Sequence, residues 1–503
     1  MFEEKKIKSK DAQNQSSSYR SIFKATSLFG GVQVYQILIG IIRQKFVAIL
    51  LGTTGMGIQG LYQSAILMVQ SFTSMGLAQS AVRDVSEAYG VGDRHRIGRT
   101  VAIVRRLVWI TGILGMIATI VFAPVLSKTS FGNYNFIIPF VILSVILLLD
   151  QICVGQKVVL QGMRRLKDLA KASAIGVTVG LIVCVPLYYF LSLDGIVPAL
   201  TVTSVTALLL SWYYSRKVEI EKVSVTTKEA VQDGGVMLKL GIAMGCNAIL
   251  GTVMAFVLRA FIRQTGGLEE VGLFAAGFAI MNTYVGMVFN AMSTDYFPRL
   301  SAVNQDNERC KEIINQQGEI AILILAPIII SCIILMPFII RIIYSEDFLP
   351  ANNYISWAIL GLMFKAASFV ISYVFLAKAE SRLFIVNETA TKIYALLLEL
   401  YGYYLFGLTG LGVAYMITFL IYSIQVSLIA RKRYGFEFSK SFIKLFATLF
   451  VIVLSAFLVV HLWSGLWMYM VLSFLFIACA FYSLKELNER VFLLNIIYKI
   501  VKK

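Results

Sequence analysis

Six Lys and Arg residues fall inside long apolar runs: Arg43, Lys45, Arg259, Arg263, Lys365 and Lys392. At the centre of a membrane span such a charge costs about 2.5–3.5 kcal/mol on insertion scales, and it usually faces a bundle interior or a water-filled cavity. Arg43 and Arg259 sit at similar depth in two spans that correspond in an internal repeat described below, which suggests a cationic cavity lining. The competing reading is snorkelling, in which a long side chain lays its stem along lipid and lifts its charge to the interface. Arg263 fits snorkelling best, and Lys45 fits both readings.

Lys365 lies mid-span, too deep to snorkel cheaply. Glu388, Lys392 and Glu399 are spaced by four and seven, so they share one helix face. They make either an i,i+4 couple between Glu388 and Lys392 or a polar stripe that couples to protons or cations. Asp150 is a further coupling candidate that can neutralise a nearby cation, whereas Asp295 stands near a span end. Asn282 and Asn290 are eight apart on one face, placed either to bond sugar hydroxyls or to act as polar glue between helices. Six cysteines at scattered spacings and two distant histidines, His95 and His461, offer no metal-ligand pattern and no nucleophile relay. No metal or other cofactor is expected, with proton or sodium coupling as the open alternative.

The elements that must hold these residues follow from composition. Of 503 residues, 58% are hydrophobic and 15% charged, with a mean hydropathy of +0.78. A soluble domain has about 45–50% apolar and about 25% charged residues. The balance excludes a soluble enzyme, a disordered chain and a secreted disulfide scaffold. It predicts an all-α polytopic membrane protein of about 14 transmembrane helices, each of roughly 20 apolar residues. The spans read as 24–51, 56–82, 103–126, 134–156, 170–192, 195–215, then 236–263, 270–297, 314–340, 352–377, 384–406, 408–430, and a final pair at 441–461 and 465–484. Met1 to Arg20 is polar and runs directly into a full-length span, so it reads as a cytoplasmic tail rather than a signal peptide.

Charge tests this map independently. Alternate connections carry 37 of the 45 Lys and Arg residues, whereas the others hold only Lys128 and Arg341. The asymmetry predicts both termini in the cytoplasm. The formal net charge of +17 is spread between apolar spans, which favours an anionic membrane surface over nucleic acid as partner.

The two sets of six spans share one register. Gly52 and Gly57 match Gly267 and Gly272, Ser86 matches Ser301, Tyr188 and Tyr189 match Tyr403 and Tyr404, Gly195 matches Gly410, and Arg216–Lys217 match Arg431–Lys432, each 215 residues apart. Six spans return the chain to its starting side, so the halves are parallel repeats with a cleft expected between them. The expected organisation is a tail at 1–23, six-helix bundles at 24–217 and 236–433 joined by a cytoplasmic linker at 218–235, and a last helix pair with its tail at 434–503.

Residues 48–93 carry a Leu51-Gly52 turn, the run Gly57-Ile58-Gln59-Gly60-Leu61-Tyr62, then Gly76-Leu77 and Arg83 ahead of a polar loop. The second half echoes them in Val271-Gly272-Leu273-Phe274 and Tyr296-Phe297-Pro298-Arg299-Leu300-Ser301. With 14 spans and a parallel repeat, the whole chain resembles the polysaccharide-transporter branch of the multidrug/oligosaccharidyl-lipid/polysaccharide exporter superfamily, most of all the O-antigen translocases of lipopolysaccharide biosynthesis. The resemblance implies a non-enzymatic flippase of the bacterial inner membrane. Its substrate would be an undecaprenyl-pyrophosphate-linked oligosaccharide, with membrane lipids and polysaccharide polymerase machinery as partners. Arg43 and Arg259 would then meet the pyrophosphate, because a guanidinium fork matches phosphate oxygens. Lys45, Lys365, Lys392, Asn282 and Asn290 would join the substrate site, and Glu388, Glu399 and Asp150 would couple ions. A peptidoglycan-precursor flippase and a cation-coupled drug exporter are the rival transporters. A polymerase or ligase is disfavoured by short periplasmic connections, and direct ATP use by the lack of a G-x-x-x-x-G-K-[ST] loop.

Overall fold

A computed structural model describes the backbone of residues 2–284 and 286–491. It describes side chains over that range except for residues 2–30, 243–244, 283–284, 287, 290–291, 294–295 and 491. The side chains of the N-terminal tail, of Asn290 and of Asp295, and the tail cluster Lys499, Lys502 and Lys503, therefore lie outside the described residues.

The regular elements of the described chain are all helices: α1 Phe2–Thr73, α2 Leu77–Val91, α3 Arg94–Phe131, α4 Ile137–Gly162, α5 Leu166–Leu191, α6 Ile196–Arg216, α7 Thr227–Asp233, α8 Gly235–Ala279, α9 Gly286–Ala302, α10 Asn307–Ile343, α11 Asn352–Ala377, α12 Ser381–Tyr434, α13 Lys440–Leu462 and α14 Leu466–Val491. Helices satisfy their own backbone hydrogen bonds, which is what hydrocarbon demands of a spanning segment. Among the described residues, ten segments are long and apolar enough to cross a membrane. Four of the ten are interrupted, at Gly52, at Ser192–Gly195, at Gly267 and at Gly407. Each of these divides into two, so the described residues hold the fourteen spans that hydropathy predicts.

The backbone itself repeats. Gly52 (φ 64, ψ −166) and Gly267 (φ 89, ψ −177) break α1 and α8 in the same conformation, 215 residues apart. Ser192 (φ 51, ψ −128) and Gly407 (φ 57, ψ −137) do so again, and Arg164 and Ala379 share a positive φ of 56 and 57. At the tight hairpins a Cβ on Gly195 would lie 2.3 Å from the Leu187 carbonyl oxygen, and one on Gly402 would lie 2.6 Å from that of Gly410. Only glycine allows that approach. The N-caps correspond too, with an offset of 213. Asp93 accepts from the His95 and Arg96 amides, and Asp306 from those of Glu308 and Arg309.

The chain divides into two compact units, Met1–Ala260 and Phe261–Lys503. In the first, the amphipathic α2 buries Leu77, Ala81, Val85 and Ala88 against Val104, Leu107, Val159 and Leu160 of α3 and α4. Gln151 donates to Thr111 at 3.0 Å and Ser71 pairs with Thr252 at 2.8 Å, hydroxyl and amide ties of the kind that join helices in lipid. The short α7 opens with a capping box, and the hydrogen bonds from Thr226 hold the Glu229 carboxyl below its ordinary range. In the second unit Tyr296, Leu300, Ile314, Val370, Phe375 and Val426 form the core.

The final helix pair is tied to this second unit by charge. Arg490 of α14 donates to Glu319 of α10 at 2.7 Å, to Glu486 at 2.5 Å and to Ser441 of α13 at 3.3 Å. Arg490 is 25% exposed and Glu319 only 12%. Arg490→Gln is expected to destabilise the protein by about 1–3 kcal/mol, because it leaves two carboxylates facing one another. A double-mutant cycle of thermal unfolding with Glu319→Gln checks this: the double variant should cost clearly less than the two singles added.

Candidate functional site

α1 carries Arg43 beyond its midpoint and before the Gly52 break, with no polar side chain three or four residues away on its own face (Ile39, Gly40, Phe46 and Val47). Arg43 donates from Nη2 to the Tyr188 hydroxyl of α5 at 3.5 Å. Tyr188 is fully buried, so its ring fixes where the guanidinium can go. Among the described residues the Nε of Arg43 is buried with no hydrogen-bond partner. Among the described residues no carboxylate lies within 4.0 Å of this guanidinium. A buried charged donor left unmatched costs more than the roughly 1–3 kcal/mol of a neutral one, so the group is poised to take an anion.

Arg43 lines two cavities within the first unit. One, of about 190 Å³, is shared with Gln36, Gly40, Lys157, Ser173 and Thr203. The other, of about 280 Å³, is shared with Gln63, Gln70, Asp150, Thr203 and Ser204. Asp150 is half-buried and faces the Ser204 hydroxyl and the Lys157 ammonium. The two cavities meet at Arg43 and Thr203, giving two cations, one carboxylate, three glutamines and several hydroxyls within the helices of the first unit. Such a lining can neutralise an anion and offer both donors and acceptors to hydroxyls beside it.

The remaining candidates are placed as follows. Lys45 is half-buried on α1, two residues beyond Arg43. Arg259 is half-buried on α8 and donates from Nη1 to the carbonyl of Ala255, one turn back on its own helix, at 3.2 Å. It lines neither of the two cavities that Arg43 lines.

In the second unit Lys365 donates to the Tyr415 hydroxyl at 3.2 Å. Its ammonium lies 5.1 to 5.8 Å from the ring centres of Phe289, Tyr415 and Phe419. The three rings attract the cation electrostatically and replace part of its lost hydration. Glu388 accepts from the Tyr422 hydroxyl at 2.5 Å, and the buried Asn387 beside it accepts from Gln425 at 2.6 Å. Lys392 and Glu399 follow, half-buried on the same helix. Asn282 donates to the carbonyl of Phe278 at 3.3 Å, inside a short π-helical stretch, Ile280–Tyr284.

Two partners were not among the sequence candidates. Lys157 read as the start of a basic loop, because hydropathy ends the fourth span at residue 156; α4 runs on to Gly162 and holds Lys157 against the cavity. Tyr188 stood out only as one member of a repeated pair. Its counterpart Tyr403 donates to Glu270 at 2.5 Å, so the repeat places a buried tyrosine hydroxyl against a charge in each unit.

A family model described as "Polysaccharide biosynthesis protein" matches residues 46–353. The lipid III flippases of Escherichia coli (strain K12) and Shigella flexneri are each 20% identical over 419 residues, covering 80% of this chain and 96% of theirs. Among solved structures, an inward-facing multidrug resistance MATE family transporter of the MOP superfamily aligns with a TM-score of 0.68 at 16% identity, over 80% of this chain and 94% of its own. The lipid II flippase MurJ in an inward closed conformation aligns with a TM-score of 0.64 at 13% identity, over 92% and 99%. These two share the fold. The family match covers more than half of the sequence, and the fourteen spans, the 215-residue repeat and the shared fold agree with it: the chain belongs to the polysaccharide biosynthesis protein family, with the architecture of the MOP superfamily exporters.

Proposed function

We propose that this protein is a flippase for a lipid-linked oligosaccharide. It would move an undecaprenyl-pyrophosphate-linked O-antigen or similar repeat unit from the cytoplasmic to the periplasmic leaflet of the bacterial inner membrane by alternating access. The observation that carries this reading is the Arg43 guanidinium, which donates to Tyr188 and stands among largely apolar cavity walls with Lys157 nearby and no carboxylate within 4.0 Å among the described residues. A pyrophosphate leaving water needs charge-assisted donors, and a guanidinium supplies two in a plane. Gln63, Gln70, Thr203 and Ser204 offer the hydrogen bonds that sugar hydroxyls require, while the polyprenyl tail stays in lipid. The lipid III flippases found as relatives favour the same substrate class. A cationic drug would be repelled by Arg43 and Lys157, which counts against the drug-exporter alternative.

Ion coupling belongs to this reading. Asp150 opposes the cavity's positive charge, so a proton or cation taken up there would strengthen anion binding. Glu388 and Glu399 are the second-unit candidates. The test is a strain lacking this protein, assayed for lipid-linked glycan exposed on the periplasmic face. Wild-type protein should restore exposure, and Asp150→Asn or Glu388→Gln should change its dependence on pH or sodium. Full exposure without the protein would refute the flippase, and unchanged gradient dependence in both variants would make the carboxylates structural.

A further inference from the structure

The inner end of α3 carries five arginines, and their partners differ. Arg96 pairs with Glu87 at 2.6 Å and Arg99 with Asp233 at 2.8 Å. The nearby His95 takes Glu221 at 3.0 Å. Further along, Arg105 and Arg106 have no carboxylate within 4.0 Å among the described residues, and neither does Lys222. The extended segment 218–226 is seated directly on α3: a Cβ on Gly98 would lie 2.5 Å from the Glu221 carbonyl oxygen. That contact brings Lys222 and Ser224 to Arg105, Arg106 and Trp109 around a cavity of about 480 Å³. Arg105 also faces Arg216 of α6, which lies 4.1 Å over the Trp212 ring. Like charges converge here, and Glu221, the carboxylate that also lines this cavity, is engaged by His95, an arrangement that an anion would relieve.

The apolar side of this pocket says what kind of anion. Trp109, Ile113 and Ile117 are exposed and spaced by four, so a continuous apolar stripe climbs α3 from the basic pocket into the span. Exposed Trp109, Trp212 and Tyr213 mark the level where aromatic rings meet lipid headgroups. From this geometry we infer a binding site for an anionic glycerophospholipid, its phosphodiester between Arg105, Arg106 and Lys222 and its acyl chains along Ile113 and Ile117. Basic pockets between membrane helices bind anionic headgroups on this physical ground. The site is separate from the Arg43 cavities and does not depend on the transport reading.

The test uses the full chain purified in detergent, with retained lipid measured by native mass spectrometry. Dioleoyl-phosphatidylglycerol should be retained, and dioleoyl-phosphatidylcholine at the same concentration should not. Arg105→Gln with Arg106→Gln should weaken phosphatidylglycerol retention by about five-fold per charge removed. Lys222→Gln, an exposed change on the linking segment, should give a similar single step and keeps the test alive if the double variant fails to fold. Lys128→Gln, on the far end of α3, should change nothing. Equal retention of phosphatidylcholine, unchanged retention in the variants, or displacement of phosphatidylglycerol by excess inorganic phosphate would each overturn the assignment.

Discussion

Replacing Arg43 with alanine is expected to abolish transport while leaving the protein inserted and folded. Truncating one member of a desolvated, hydrogen-bonded charge pair costs about 2–5 kcal/mol, or roughly thirty-fold to several thousand-fold in substrate affinity. Stability should fall little, because among the described residues the guanidinium makes one long hydrogen bond, to Tyr188, and its Nε has no partner. Arg43→Lys should retain partial function, since it preserves charge but loses the planar fork. Arg43→Gln distinguishes the site from snorkelling: a side chain that only reaches for the interface can lose its charge almost silently. Arg259→Ala should have the smaller effect, as Arg259 turns one guanidinium nitrogen back to its own helix and lines neither cavity. The readout is periplasmic lipid-linked glycan per folded protein. Near-wild-type export by Arg43→Ala would end the cationic-cavity reading.

The largest structural effect is expected at Gly76. It stands in the left-handed region at φ 62, and a Cβ there would lie 2.0 Å from the Gly241 carbonyl oxygen. The reverse contact is as tight, with a Gly241 Cβ 2.4 Å from the Met75 carbonyl oxygen. Two backbones touch here, and neither can move aside as a side-chain tip can. Gly76→Ala carries about 1–2 kcal/mol of conformational strain and about 1–3 kcal/mol or more of overpacking. Gly92→Ala isolates the first term, since Gly92 has φ 77 but open space around it. Gly241→Ala isolates the second. Thermal unfolding in detergent should rank Gly76→Ala worst, with Gly241→Ala clearly destabilised and Gly92→Ala mildly so. A Gly241→Ala protein as stable as wild type would show that the close approach is absent.

The spans and the repeat were legible because hydrocarbon thickness and loop charge leave strong marks on a sequence. Span ends were less so. α3 begins at Arg94 and α10 at Asn307, several residues before the apolar runs, because Asp93 and Asp306 cap helices whose first turns are polar. Hydropathy sees lipid, not helix. The same blindness put Lys157 in a loop. Arg43 was found from the cost of its charge, but its partner Tyr188 is 145 residues away and aromatic, one of 24 tyrosines with nothing local to single it out. The aromatic setting of Lys365 likewise comes from α12 and residue 289, which only tertiary structure brings to it.

The span that follows each first hairpin is not one straight rod. After Gly52 the helix stops at Thr73 and restarts at Leu77; after Gly267 it passes through the π-helical residues Ile280–Tyr284 before α9 begins. Each of these interruptions has already given up part of its i to i−4 bonding, so bending there breaks little that is intact elsewhere. Both spans thus carry a built-in joint between the hairpin turn and the segment beyond it. A bend of α2 or α9 relative to the hairpin would therefore concentrate at the interruption and cost less there than in a continuous helix.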